Sequence, residues 1–273
     1  MRLLFIGDIV GRVGRGLVTR GVKALARAHE VDLVIANGEN AAGGAGITRD
    51  NVDEILKAGV DVITGGNHSW DKREILEVIP RQPRLLRPAN YPDGTPGRGS
   101  VLVDAADGTR VGVVNVMGRV FLSTLDDPFA VAEREVEALR GAGAQVILVD
   151  MHAETTSEKI ALGWCLDGRV TAVIGTHTHV QTADERILPG GTAYLTDAGM
   201  TGPHDGVIGM DRAGVIQRFR TALPVRFETA TGDPRLHGAL VTADPATGLA
   251  LAIERVALTA AALEALAVAE VTS

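Results

Sequence analysis

An α/β fold of two packed mixed β-sheets, flanked by helices on their outer faces, is predicted by three features of the sequence. The first is a set of five short apolar runs, rich in β-branched residues, each stopping at a polar group. Buried strands of an α/β sheet read this way, and such sheets bind ligands beyond the carboxyl ends of their strands. The second is an alternation of these runs with helical segments up to about Pro80, the pattern of right-handed parallel βαβ units. The third is a change after Gly99 to paired strands with tight turns, which signals antiparallel pairing.

In chain order, Leu3 to Ile6 forms the first strand and ends at Gly7-Asp8. Arg15 to His29 places Leu17, Val18, Val22, Leu25 and Ala28 on one helical face. Leu33 to Ala36 is the second strand, ending at Asn37-Gly38-Glu39-Asn40. A turn at Gly43-Gly44-Ala45-Gly46 leads to Thr48, which suits the N-cap of a helix over Arg49–Ala58. Val60 to Thr64 runs into Gly65-Gly66-Asn67-His68, and Asp71 to Val78 is a short helix stopped by Pro80. Prolines and glycines then punctuate the chain to Gly99. Ser100–Val103 and Arg110–Val116 pair across an Asp107-Gly108 turn, and Ala130–Arg140 is an amphipathic helix. Val146 to Val149 leads to Asp150-Met151-His152, and Thr155 with Glu158 offers a capping box for a helix to about Leu166. Ala172 to Ile174 leads to Gly175-Thr176-His177-Thr178-His179. The remainder reads as strands at Ala193–Thr196, Gly214–Arg220, Val225–Glu228, Gly238–Thr242 and Leu249–Val256, with Met200–Gly206 as a loop. No linker or repeat divides the chain, so one domain is expected over 1–273.

Composition narrows the function classes. A net charge of −7 over 273 residues disfavours stable nucleic-acid binding but suits a small anion held by metal. The single cysteine, Cys165, rules out an intramolecular disulfide and a cysteine-rich zinc site, and lies on an apolar helix face where a buried thiol is expected. The chain opens directly on a strand without a basic, apolar leader. No apolar run reaches the roughly 20 residues of a membrane span. A cytoplasmic protein with no membrane partner is the expectation.

The polar strand ends carry the chemistry. Two cations about 3.5–4 Å apart need a bridging carboxylate, several terminal ligands, and room for water and substrate. Candidates are Asp8, Glu39, Asn40, Asn67, His152, His177 and His179. A single intervening residue puts the His177 and His179 rings on one side of an extended segment. A charged Glu39 at a buried strand end demands a partner. Asn67 follows two glycines that let backbone approach a bulky group, though it could instead cap a helix. Asp8 alone fits an N-cap as well as a ligand. Mixed carboxylate, carboxamide and imidazole donors favour Mn, Fe or Zn over Ca or Mg.

These residues, in this order, resemble the calcineurin-like metallophosphoesterases, whose pattern is Asp-x-His, Gly-Asp, Gly-Asn-His-Asp/Glu, a lone His and Gly-His-x-His. Val10 stands where that superfamily has a metal-binding His, and Glu39 where it has the bridging Asp. Both departures match the YmdB-like branch. So do Gly7 to Arg12, Asn37 to Gly44, His152 to Lys159 and Thr176 to Asp184. The resemblance implies the metallophosphoesterase sandwich (α/β/β/α) and two metal ions, iron or manganese. Asp8, Glu39, Asn40 and His179 would hold one metal, with Asn40 compensating for the missing His. Glu39, Asn67, His152 and His177 would hold the other, with Glu39 bridging. It also implies hydrolysis of cyclic nucleotides, 2′,3′-cyclic and also 3′,5′-cyclic, by attack of metal-activated hydroxide.

His68 is not needed as a ligand and is the natural proton donor to the leaving alkoxide, with Asp71 able either to orient it or to start a helix. Arg12 and Arg15 could pair with substrate phosphate or face solvent. His204 could line the pocket, Tyr91 could stack on a base, and His237 reads as a surface group. Rival readings are a phosphomonoesterase or nucleotidase on the same scaffold, and a regulatory nucleotide-binding protein with incidental hydrolysis. A homodimer or homotetramer through the helices or the β-rich end is compatible with the sequence.

Overall fold

In the computed structural model, which describes residues 1–271, the chain begins β1 (Arg2–Ile6), β2 (Asp8–Ile9), α1 (Gly11–Ala28), β3 (Leu33–Asn37), α2 (Arg49–Lys57), β4 (Val62–Thr64) and α3 (Ile75–Val78). It continues β5 (Ser100–Asp104), β6 (Arg110–Met117), α4 (Pro128–Gly141), β7 (Val146–His152), α5 (Thr156–Cys165), β8 (Ala172–Thr176), β9 (Arg186–Ile187) and β10 (Ala193–Leu195). It closes with β11 (Met200–Pro203), α6 (Arg212–Thr221), β12 (Pro234–Asp244), β13 (Leu249–Thr259) and α7 (Ala260–Val271).

Two mixed sheets result. One has the order β2-β11-β12-β1-β3-β4 with β13 added beside β12, and the other has β5-β6-β7-β8-β10-β9. The period-two alternation of strand side chains sets the layers. Leu3 and Phe5 of β1 meet Val111, Leu148 and Ile174 of the second sheet in a shared inner core. Leu4 and Ile6 point the other way, onto Leu17, Val18 and Val22 of α1. Val114, Val116 and Val149 face α4 and α5 through Val131, Val136 and Leu162. The α/β/β/α order follows directly.

Strands β1, β3 and β4 run parallel in the first sheet, and β6, β7, β8 and β10 run parallel in the second. Their carboxyl ends open on one rim. Thr48 caps α2 as expected: its Oγ1 accepts from the Asn51 amide, and its own amide donates back to Asn51 Oδ1.

Several expectations are corrected. Gly214–Arg220 lies within helix α6 rather than a strand, because Asp211 caps it by accepting from the Ala213 and Gly214 amides. Val215 and Phe219 then fall one turn apart, a spacing that also mimics strand alternation. Val225–Glu228 lies in no strand, and Met200–Pro203 is strand β11, paired with β2 and β12. Of the helix expected over Asp71–Val78, only Ile75–Val78 is regular. The Thr155 capping box does not form, since Glu158 turns away to accept from the Arg119 and Val120 amides. Helix α7 has no counterpart among the expected elements; its Leu263 packs against the α1 side of the first sheet.

One buried ion pair ties α5 to the rim. Lys159, 1% exposed, donates from Nζ to Asp197 Oδ2 at 2.7 Å. Removing one partner of such a pair strands a charge in low dielectric, at a cost of about 3–5 kcal/mol. Lys159→Met is therefore expected to lower stability by about that much, read as the shift of the urea midpoint. A loss under about 1 kcal/mol would show that water already reaches Asp197.

Candidate metal centre

Each histidine at the rim spends one ring nitrogen on the protein and turns the other inward. Nδ1 of His152 donates to Thr176 Oγ1 at 2.9 Å, and that hydroxyl donates to Asp150 at 2.7 Å. Nε2 of His177 meets Glu154 Oε2 at 2.9 Å. Nδ1 of His179 donates to the Ile208 carbonyl at 2.9 Å. Partners of this kind fix the tautomer and ring orientation of metal-binding histidines.

The inward atoms crowd together. Nε2 of His152 lies 2.9 Å from Asn67 Oδ1, 3.1 Å from His177 Nδ1 and 3.2 Å from Glu39 Oε1. When only the outward ring nitrogens carry protons, all four inward atoms are acceptors, and either a proton on His152 Nε2 or a cation among them relieves the repulsion. Glu39, His152 and His177 can present ligand atoms all within 4.8 Å of one another. Beside them, Asn40 Nδ2 lies 3.0 Å from Glu39 Oε1 and 3.2 Å from His179 Nε2. Turning that amide end for end presents Oδ1 to the same space. Asp8 Oδ1 is buried without a hydrogen-bond partner, 3.8 Å from His179 Nε2. The donor set fits divalent cations. Gly66 completes the cradle, since a Cβ there would collide with Glu39 Oε2 and His152 Nε2.

Electrostatics agree with the geometry. Burial opposes ionisation of Glu39, yet His152 and the His68 amide outweigh it and hold the carboxyl at about 2. Burial likewise disfavours charge on His152, but Glu39, Asp8 and Asp150 push it up to about 9. Burial and the neighbouring His152 push His177 down to about 3. Burial raises Asp8, against the pull of His179 and His152. Carboxylates that hold a proton on His152 would hold a cation in the same place.

All seven residues expected as metal ligands meet here, delivered by the ends of β1, β3, β4, β7 and β8. His68 lines the adjoining cavity of about 510 Å³. Its Nδ1 is 2.8 Å from Asp71 Oδ2, so Asp71 orients the ring and caps no helix, leaving Nε2 for the cavity. Arg12 is exposed on α1 outside the cavity lining, and Arg15 is bound to Glu54 and the Ala41 carbonyl. His204 also lies outside the lining; it donates to the Gly202 carbonyl and packs at a tilt against His237, which is half-buried rather than a surface group. Tyr91 packs edge-on against Trp70 instead.

Sequence reading assigns no role to Glu154, Thr176 or the Lys159–Asp197 pair. Glu154 and Lys159 stand in the His152–Lys159 segment, and Thr176 directly precedes His177. Asp197 accepts from the Thr178 amide and hydroxyl at 3.1 and 2.6 Å, holding the residue between the two histidines.

Known proteins resemble this chain over nearly its whole length. The profile of the YmdB-like protein family matches residues 4–256. A Bacillus subtilis (strain 168) protein named 2′,3′-cyclic-nucleotide 2′-phosphodiesterase is 52% identical over 94% of this chain and 96% of its own. The crystal structure of a hypothetical protein from Thermus thermophilus superposes with a TM-score of 0.87 at 42% identity, over 95% of this chain and 99% of that one. A structure described as a novel phosphatase from Mycoplasma pneumoniae gives 0.88 at 33% identity, over 95% and 93%. The chain belongs to the YmdB-like protein family.

Proposed function

We propose that this protein is a binuclear metal-dependent phosphodiesterase that opens ribonucleoside 2′,3′-cyclic phosphates. The single observation that carries this reading is the double acceptor cluster around Glu39, with Asp8, Asn40 and His179 on one side and Asn67, His152 and His177 on the other. The B. subtilis relative's name supports the choice of ester. Iron or manganese suits the mixed nitrogen and oxygen donors. When bound, such ions polarise the phosphoryl oxygens and activate water.

The chain's own residues do the rest. Glu39, buried and ionised, supplies the negative charge shared by both sides of the cluster. Glu154, Thr176 and the Ile208 carbonyl keep the three imidazoles aimed inward. His68, held through Nδ1 by Asp71, gives its Nε2 proton to the leaving O2′. Water contributes oxygen to phosphorus, the P–O2′ bond breaks, and a 2′-hydroxyl and a 3′-monophosphate remain. Activity toward 3′,5′-cyclic nucleotides would use the same groups with O3′ leaving.

Three outcomes are expected. Manganese-loaded protein hydrolyses bis-p-nitrophenyl phosphate and 2′,3′-cyclic AMP faster than p-nitrophenyl phosphate; faster monoester turnover would instead make it a phosphomonoesterase. His68→Ala lowers kcat by roughly 10²–10⁴-fold with metal content unchanged by elemental analysis. Equal loss of metal and activity would make His68 a ligand. Asn40→Ala loses close to one metal per chain, and full occupancy in that variant would remove Asn40 from the ligand set.

A further inference from the structure

The lining of the cavity at the metal centre falls into two chemically opposite groups. One includes Glu39, Asn40, His177 and His179, and the other is Ile208, Met210, Val215, Phe219 and Phe227, with Arg218 as the charged side chain among them. Every residue of this second wall comes from one excursion of the chain between β11 and β12, built around α6. Phe219 is 84% exposed and Phe227 45% exposed, so two aromatic rings stand uncovered beside a buried charge cluster.

The wall is fastened to the metal centre. The Ile208 carbonyl accepts from Nδ1 of His179, and Ile208 holds φ at 44°, a left-handed conformation costly for a β-branched residue. That bond fixes how far the apolar wall stands from the candidate ligands. A ribose or a second phosphate would find few hydrogen-bond partners on it. A nucleobase, with an apolar π-face, needs only rings to stack on.

We infer that the Phe219–Phe227 wall is the nucleobase subsite of this enzyme, binding by stacking rather than by reading base edges. The inference rests on the cyclic-nucleotide reading above. Arg218, exposed and only loosely bonded to the Ala222 carbonyl at 3.5 Å, is free to lay its planar cation against the base. Stacking area then sets preference, so purines bind more tightly than pyrimidines. A second copy of the chain seated on these rings would plug the cavity and bar substrate from the centre, which argues for a small occupant.

The test compares two five-membered cyclic phosphodiesters on manganese-loaded protein: adenosine 2′,3′-cyclic phosphate, and glycerol 1,2-cyclic phosphate, which lacks a base. The F219A/F227A double variant is expected to raise KM for the adenosine substrate roughly tenfold or more, with kcat little changed. Its kcat/KM for the glycerol substrate should stay as in the wild type, which also reports an intact fold and centre. F219Y, which keeps a ring face, should restore the adenosine KM when introduced in place of F219A. Calorimetric titration with adenosine 3′-monophosphate should show the same loss of affinity without turnover. Equal losses on both substrates, or no change on either, would overturn the subsite. So would a variant that keeps the wild-type KM but falls from oligomer to monomer in sedimentation, which would make the wall an interface between copies. If the wild type opens neither ester, the phosphodiesterase reading itself fails, and the subsite with it.

Discussion

Asp197 is the constraint on which the rim depends. His177 and His179 sit at φ of 95° and 65°, in the left-handed region that L-residues enter at a cost of about 1–3 kcal/mol each. Histidine enters that region more readily than most residues, but the tripeptide alone does not fix it there. Asp197 holds it by accepting both the amide and the hydroxyl of Thr178, and Asp8 adds a bond from the His177 amide at 3.2 Å. At 1% exposure Asp197 is answered by Lys159, whose Nζ lies 2.7 Å from Oδ2. The strained turn lets two rings separated by one residue face different neighbours: His152 for one, Asn40 and Asp8 for the other.

The strain is absorbed by the packing of two sheets. β8, which feeds the turn, is the neighbour of β7, which carries His152, while Asp8, Glu39 and Asn67 follow strands of the other sheet. Asn37 and Thr64 of the first sheet both donate to Asp150 of the second, stitching the sheets together directly beneath the centre. Burial pushes the Asp150 carboxyl up to about 6, against the pull of His152 and the two threonine hydroxyls. Through Thr176, Asp150 also orients His152. A polar layer so placed passes any shift between the sheets straight to the ligand atoms.

Much of this was legible in the sequence because burial at a strand end is a local statement. An apolar run ending in Asp8, Glu39 or His152 announces a charge that must be answered, whatever the rest of the fold does. The cross-strand answers were not legible. Lys159 and Asp197 are 38 residues apart and meet only once α5 packs on β8. Thr155 and Glu158 have the spacing of a capping box, but the amides at Arg119 and Val120 needed Glu158 more. Helix α6 reads as a strand because a period of two and a period of 3.6 agree over so short a stretch, and only the Asp211 cap separates them.

The same distinction explains how the molecule divides its labour. The donors are fixed by five strand ends and a pinned turn, so any change there disturbs both sheets. The β11–β12 excursion touches that centre chiefly through one backbone bond, from His179 to the Ile208 carbonyl, and its α6 buries only Val215. A carbonyl is common to every residue type. Side chains on the excursion can therefore vary without moving His179, and with them what the cavity accepts, while the ester chemistry at the rim stays fixed.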